Sequence, residues 1–119
     1  MNPILSIIIP CYNSQNTLEE TLMSVLEQDF QNWEAILIND GSPDNLEDIA
    51  LKWVEKDARF KYFKKENGGL GSARNYGINK AKGNYILPLD SDNTIGKSFA
   101  QRAITIFEEN EKSLFWLNF

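Results

Sequence analysis

Four short apolar runs, each leading into a polar cluster and then an amphipathic stretch, constrain this chain more than any other feature. The runs are Ile4 to Ile9, Glu34 to Ile38, Phe60 to Phe63 and Tyr85 to Leu87. The first is apolar except for Ser6, as a strand covered on both faces requires. Helices are predicted after each run. Thr17 to Glu27 places Leu18, Leu22, Val25 and Leu26 on one face, with Asn16 as the cap and Glu19 three residues on. Ser42 and Pro43 are expected to open the second helix, whose stripe is Leu46, Ile49, Ala50, Trp53 and Val54. A third helix is expected from Ser72 to Ala81, ended by Gly83. A fourth, Lys97 to Glu109, is expected to bury Phe99, Ala103, Ile106 and Phe107. Pro88 cannot donate to a ladder and marks the end of the fourth strand or an irregularity in it. The stretch Leu114 to Phe119 is apolar enough for one more strand. Repeated strand–helix units predict an α/β fold, a three-layer sandwich of one mostly parallel twisted sheet with helices on both faces. The 119 residues are expected to form a single domain.

In such sheets, ligands bind beyond the carboxyl ends of the strands. The unusual polar residues fall there. Tyr12 and Asn13 follow the first run and Asp40 follows the second. Asn67, Gly68 and Gly69 follow the third, and Asp90 and Asp92 follow the fourth. All four strand ends are expected to feed one rim.

Charge and composition narrow the chemistry. A net charge of −5 argues against a general nucleic-acid binder, yet allows a phosphate-bearing ligand whose charge a metal neutralises. The chain has no histidine, which removes Ser-His and Cys-His catalysis and leaves a carboxylate as the simplest general base. Cys11 is the only cysteine, so there is no internal disulfide and no cysteine-based zinc site. No segment reaches the ~18 apolar residues of a membrane span, and Ile4 to Ile9 makes a poor signal peptide. A cytoplasmic location is the expectation.

Asp90-Ser91-Asp92 is the sharpest constellation. In an extended segment its two carboxylates face one side. So close together they repel, unless a cation such as Mg²⁺ or Mn²⁺ bridges them and keeps positions open for a diphosphate. The bland alternative is an acidic surface turn. Asp40, in Asn39-Asp40-Gly41-Ser42, precedes a helix and not a second strand, so a hairpin turn fits poorly. Its carboxylate can accept from a base N–H or a ribose hydroxyl. Asn67 to Arg74 resembles a phosphate-binding loop at a helix start, or equally a plain flexible loop. Its sixth place, counted from Gly69, is Arg74, so it is not a dinucleotide fingerprint. Arg74 can meet a phosphate, stack on a base or form a surface salt bridge. Tyr12 can stack on a nucleobase or close a core edge. Gly96-Lys97-Ser98 lacks the earlier glycine of a P-loop.

Ser6-Ile-Ile-Ile-Pro-Cys-Tyr-Asn13, Ile38-Asn-Asp-Gly-Ser42, Asn67-Gly-Gly-Leu-Gly-Ser-Ala-Arg-Asn75 and Leu89-Asp-Ser-Asp-Asn93 together resemble the family 2 glycosyltransferases. The stretches span nearly the whole chain in the family's order. The resemblance implies a GT-A fold binding a nucleotide-activated sugar, usually with uridine. It places Tyr12 and Asp40 on the nucleobase, with Arg74 nearby. It adds Pro10, Asn13, Asn67, Gly69 and Ser91 to the donor contacts. It sends Asp90 to the ribose and gives Asp92 the metal, Mg²⁺ or Mn²⁺. It also implies inversion at the anomeric carbon, with a carboxylate base that deprotonates a saccharide or lipid-linked acceptor. That base is expected beyond Phe119, so this stretch alone should transfer little. No nucleic-acid partner is implied; peripheral membrane association and self-association are open to the full-length protein. Asn93 stands where many relatives carry an acidic residue. Glu108, Glu109 and Glu111 read as a solvated face and not as the base. Two alternatives remain. One is a haloacid-dehalogenase-like phosphotransferase using Asp90 in Asp-Ser-Asp-Asn-Thr94. The other is a non-catalytic nucleotide-sugar-binding module with the apolar tail as an interface.

Overall fold

The computed structural model describes residues 2–110. In chain order the elements are β1 (Leu5–Cys11), α1 (Leu18–Leu26), β2 (Trp33–Asp40), α2 (Leu46–Lys56), β3 (Phe60–Lys65), α3 (Leu70–Lys80), β4 (Tyr85–Pro88) and α4 (Phe99–Glu109). The strands form one sheet in the order β3-β2-β1-β4, with every neighbouring pair parallel. The chain steps outward from β1 to β2 to β3, then returns to the far side of β1 for β4. The gap between β1 and β4 is thus the point where the winding reverses, and there an open α/β sheet has its crevice.

Strand alternation distributes the side chains between two apolar layers. Leu5, Ile7, Ile9 and Cys11 of β1, with Ala35 and Leu37 of β2, pack against α1, α2 and α4. Ile8, Ile36 and Ile38 face the other way, onto Ala73 and Tyr76 of α3. Helices therefore cover both faces, as predicted. The α3 layer is thin and close: a Cβ on Gly77 would come within 2.6 Å of Ile38 Cδ1 and 2.7 Å of Ile8 Cγ2. The same alternation carries Asp40 to the α3 face and Asn39 to the α2 face.

Several boundaries differ from the sequence reading. Helix α1 is capped by Thr17 and not by Asn16, and among the described residues no side chain caps its first turn. The second helix starts at Leu46, because Ser42 and Asp44 are engaged in a hydrogen-bonded turn first. Helix α3 begins at Leu70, two residues early, and ends before Ala81. Gly83 does not cap it; it lies against Ser6, where a Cβ would meet the backbone nitrogen at 2.8 Å. In α4, Ile104 is buried and Ile106 is exposed. Pro88 is paired with Ile8 inside β4, at the sheet edge. Leu89 donates to Ile8, so the missing donor of Pro88 falls on the open side. The stretch Leu114 to Phe119 and Glu111 lie outside the described residues. No described helix is long and apolar enough to cross a membrane.

Candidate functional site

Two cavities open at the carboxyl ends of the strands. The first, about 330 Å³, is lined by Pro10, Cys11, Tyr12, Asp40, Asn67, Gly69, Leu70 and Ala73. The second, about 420 Å³, is lined by Pro10, Tyr12, Asn13, Ser14, Thr17, Leu70, Asp90, Ser91 and Asp92. Pro10, Tyr12 and Leu70 are common to both and form the wall between them. Each volume lies in the range of roughly 300–1,000 Å³ typical of small-ligand sites. Tyr12 and Leu70 are about half exposed, unusual for large apolar side chains, and they stand where the two compartments meet.

Asp40 anchors the first cavity. It ends β2 in register with Lys65 at the end of β3, and Lys65 Nζ donates to its Oδ1 at 3.0 Å. The Gly68 N–H donates to Oδ1 at 2.9 Å and the Gly69 N–H to Oδ2 at 3.0 Å. Asn67 Nδ2 donates to the Asp40 backbone oxygen at 2.9 Å and reaches Oδ2 at 3.4 Å. The loop that resembles a phosphate cradle thus already holds an anion, this chain's own carboxylate, at the start of α3. Burial by itself would raise the Asp40 carboxyl. The Gly68 amide, Lys65 and the Gly69 amide outweigh it and hold the group below its ordinary value, so Asp40 is a carboxylate at neutral pH. Gly69 sits at φ 93°, a conformation that strains any residue with a Cβ. Gly41, at φ 67°, is pressed against Asn67.

Asp90, Ser91 and Asp92 form the floor of the second cavity. The segment is a turn and not the extended stretch expected: Asn93 N–H donates to the Asp90 carbonyl at 3.1 Å. Both carboxylates still line one cavity. Arg74 Nη2 lies 3.4 Å from Asp90 Oδ1, linking α3 to the turn across the site. Arg74 Nε and Ser14 Oγ are buried with no hydrogen-bond partner among the described residues, and Ser14 lines the cavity beside the two aspartates. Among the described residues no group of three or more His, Cys, Asp or Glu can hold an ion unaided. Two carboxylates beside an open cavity instead suit a Mg²⁺ or Mn²⁺ shared with a ligand's phosphates. The all-oxygen donor set fits such a hard cation.

The loops around the site are laced together. Asn13 takes a left-handed conformation at φ 52°, which asparagine tolerates better than most residues, and its N–H donates to Ser42 Oγ. Gln15 N–H donates to Asp44, and Asn45 N–H to Gln15. Asn39 bonds Tyr62, which bonds Glu47 of α2. Burial raises the Cys11 thiol to about 12. The group is therefore an inert wall of the first cavity and no nucleophile.

Pro10, Tyr12, Asn13, Asp40, Asn67, Gly69, Asp90, Ser91 and Asp92 all line one or both of the two cavities; Arg74 lines neither but touches Asp90, and Gly68 reaches the site through its N–H on Asp40. Lys65, Ser14, Thr17 and Leu70 escaped notice. Lys65 is found only through strand register. Leu70 had a visible signal, an apolar residue set between Gly69 and Gly71 in a polar loop. Thr17 belongs to a set with Thr21, Ser24 and Gln28, spaced at helical intervals from the start of α1 to just past its end.

Comparison with known proteins agrees with this architecture. The sequence profile of glycosyl transferase family 2 matches residues 6–119. EpsJ of Bacillus subtilis, described as an uncharacterized glycosyltransferase, is 41% identical over 111 residues, covering 93% of this chain and 32% of EpsJ. The crystal structure of S. aureus TarS 1–349 in complex with UDP superposes with a TM-score of 0.82 at 31% identity, covering 91% of this chain and 33% of TarS 1–349. The TarS 1–349 complex with UDP-GlcNAc gives 0.82 at 32% identity, covering 91% and 32%. The chain thus spans about a third of the length of these relatives.

Proposed function

This chain belongs to glycosyl transferase family 2, and from that membership we propose that its two cavities take the donor of a glycosyl transfer, a nucleoside diphosphate sugar. The observation that carries the reading is the shared wall. Asp40 lines one cavity and Asp90 and Asp92 the other, with only Pro10, Tyr12 and Leu70 between them. A nucleoside in the first cavity then places its diphosphate over the second. The TarS complexes with UDP and UDP-GlcNAc favour uridine as the nucleoside.

In this reading Asp40 faces the base, and the base N–H competes for Oδ2 with the long Asn67 contact. Tyr12 packs on the base or ribose from the common wall. Asp90 accepts from a ribose hydroxyl while Arg74 balances its charge. Asn13 and Ser42 fix the β1–α1 loop beneath the ligand. Asp92, with Asp90 close by, would hold Mg²⁺ or Mn²⁺. When bound, that cation offsets charge building up on the departing diphosphate. The acceptor is a saccharide or lipid-linked alcohol whose hydroxyl, deprotonated by a carboxylate base, attacks the anomeric carbon with inversion as the nucleoside diphosphate leaves; that base lies in parts of such enzymes that these residues do not supply. Family membership favours a ligand-binding role for Asp90 over a phosphoryl-accepting one.

Calorimetric titration with UDP tests the proposal. Binding that strengthens when Mn²⁺ is added, and weakens again with a chelator, is the expected result. A folded sample that binds no UDP with or without metal would refute it.

A further inference from the structure

The segment after β4 is attached to α1 by a stripe of polar side chains. Thr17 at the start of α1, Thr21 and Ser24 within it and Gln28 just past its end fall four, three and four residues apart, with Thr21 and Ser24 beside Leu18, Leu22 and Val25. Thr17 Oγ1 and Thr21 Oγ1 both donate to the Ser91 carbonyl, at 3.0 and 2.9 Å. The N–H of Ile95 donates to Ser24 Oγ at 3.2 Å. Gln28 Nε2 donates to the Gly96 carbonyl at 2.6 Å, and its Oε1 accepts from the Ala100 N–H at 2.9 Å. Thr21 and Gln28 are buried, at 0% and 1% exposure.

This arrangement has one point of convergence. Ser91 is the middle residue of the Asp90–Asp92 turn, and two hydroxyls occupy both lone pairs of its carbonyl. Rotation of the turn would break both bonds and strand a buried acceptor. The rest of the segment is held at Ile95, Gly96 and Ala100, so the turn cannot drift with its downstream chain.

We propose that Thr17, Thr21, Ser24 and Gln28 are positioning residues, which set the Asp90–Asp92 turn in the orientation that binds a divalent cation together with a nucleoside diphosphate. The inference rests on the donor-site reading of the two cavities. It assigns α1 a share in metal affinity without any contact between its side chains and the ion. Preorganisation of this kind raises affinity by removing the cost of ordering the turn at binding.

The test uses Thr21→Val, which keeps the shape and deletes the hydroxyl, and Thr21→Ser, which keeps the hydroxyl. Binding of UDP with Mn²⁺ is measured by calorimetry, and capture of Mn²⁺ by loss of its free-ion electron paramagnetic resonance signal. Binding of uridine, which needs only the Asp40 cavity, is followed by NMR shift titration. Thr21→Val should weaken Mn²⁺-dependent UDP binding about tenfold, the effect of roughly one hydrogen bond, and leave uridine binding unchanged. Thr21→Ser should restore it. Undiminished Mn²⁺–UDP binding in Thr21→Val, or equal losses for uridine and Mn²⁺–UDP, would overturn the inference. Should Thr21→Val fail to fold, Ser24→Ala removes the bond to Ile95 at a half-buried site outside both cavities and is read the same way. A folded parent chain that binds no UDP with or without Mn²⁺ would overturn the donor-site reading itself, and one whose UDP binding does not respond to Mn²⁺ would overturn the inference alone.

Discussion

Asp40 illustrates how one side chain serves both folding and binding. Its carboxylate is buried, ionised and saturated by donors from the loop it organises. Because these partners hold it below its ordinary value, its contribution to stability is present above the unfolded value, about 3.9, and is lost as pH falls through the lower folded one. Glu34, also buried but strongly hydrogen-bonded, Asp44, half-buried and hydrogen-bonded to Ser42, and Asp57, paired with Arg59, are lowered in the same sense. Urea unfolding should therefore show stability dropping steeply below about pH 4. Lys65→Met should make that drop shallower, because it brings the folded Asp40 value up toward the unfolded one, and should cost on the order of 1–3 kcal/mol at neutral pH, since it leaves a buried carboxylate short of a partner. An unchanged acid profile in Lys65→Met would show that Lys65 is not what holds Asp40 ionised. Asp92 is the opposite case, exposed and without a hydrogen-bond partner among the described residues. Asp92→Asn should leave stability within about 0.5 kcal/mol of the parent while abolishing the metal-dependent part of UDP binding. Both aspartates were visible in the sequence by their place after an apolar run. The Lys65 partnership was not, because it depends on which strand lies beside which.

At the scale of elements, periodicity located every strand and helix in the described residues, and its errors share a cause. The first turns of α1 and α2 begin later than capping rules suggest, because Ser42, Asp44 and Gln15 are spent on bonds between loops and not on helix ends. Glycines were misread for a similar reason. Gly83 looked like a helix stop but is a point of close approach to Ser6. Gly77 drew no attention in the sequence, yet it is what lets α3 sit against Ile8 and Ile38. Gly77→Ala gains helix propensity but forces a methyl to 2.6–2.7 Å from two side-chain carbons. It should destabilise the chain by about 1–3 kcal/mol in denaturant titration, against a gain of about 1 kcal/mol if packing were loose. A stabilised Gly77→Ala would mean that α3 stands further from the sheet than described. The polar stripe of α1 was legible in spacing alone, but its apolar neighbours at the same period obscured it.

For the whole molecule, the order β3-β2-β1-β4 does the decisive work. Placing β4 beside β1 brings the Asp90–Asp92 turn next to Tyr12, while β2 and β3 deliver Asp40 and the glycine loop to the other side of the same wall. The fold class and the rim could be read from the chain, since strand ends in a parallel sheet share one edge. The division of that rim into two compartments could not, because it depends on where Tyr12 and Leu70 stand in space. A crystal structure of the chain with UDP and Mn²⁺, with manganese located by its anomalous signal, tests that division directly. Uracil in the Asp40 cavity, the diphosphate crossing Tyr12 and Leu70, and manganese beside Asp92 are the expected result. Nucleotide bound away from these cavities, or manganese remote from Asp92 with UDP in place, would contradict it.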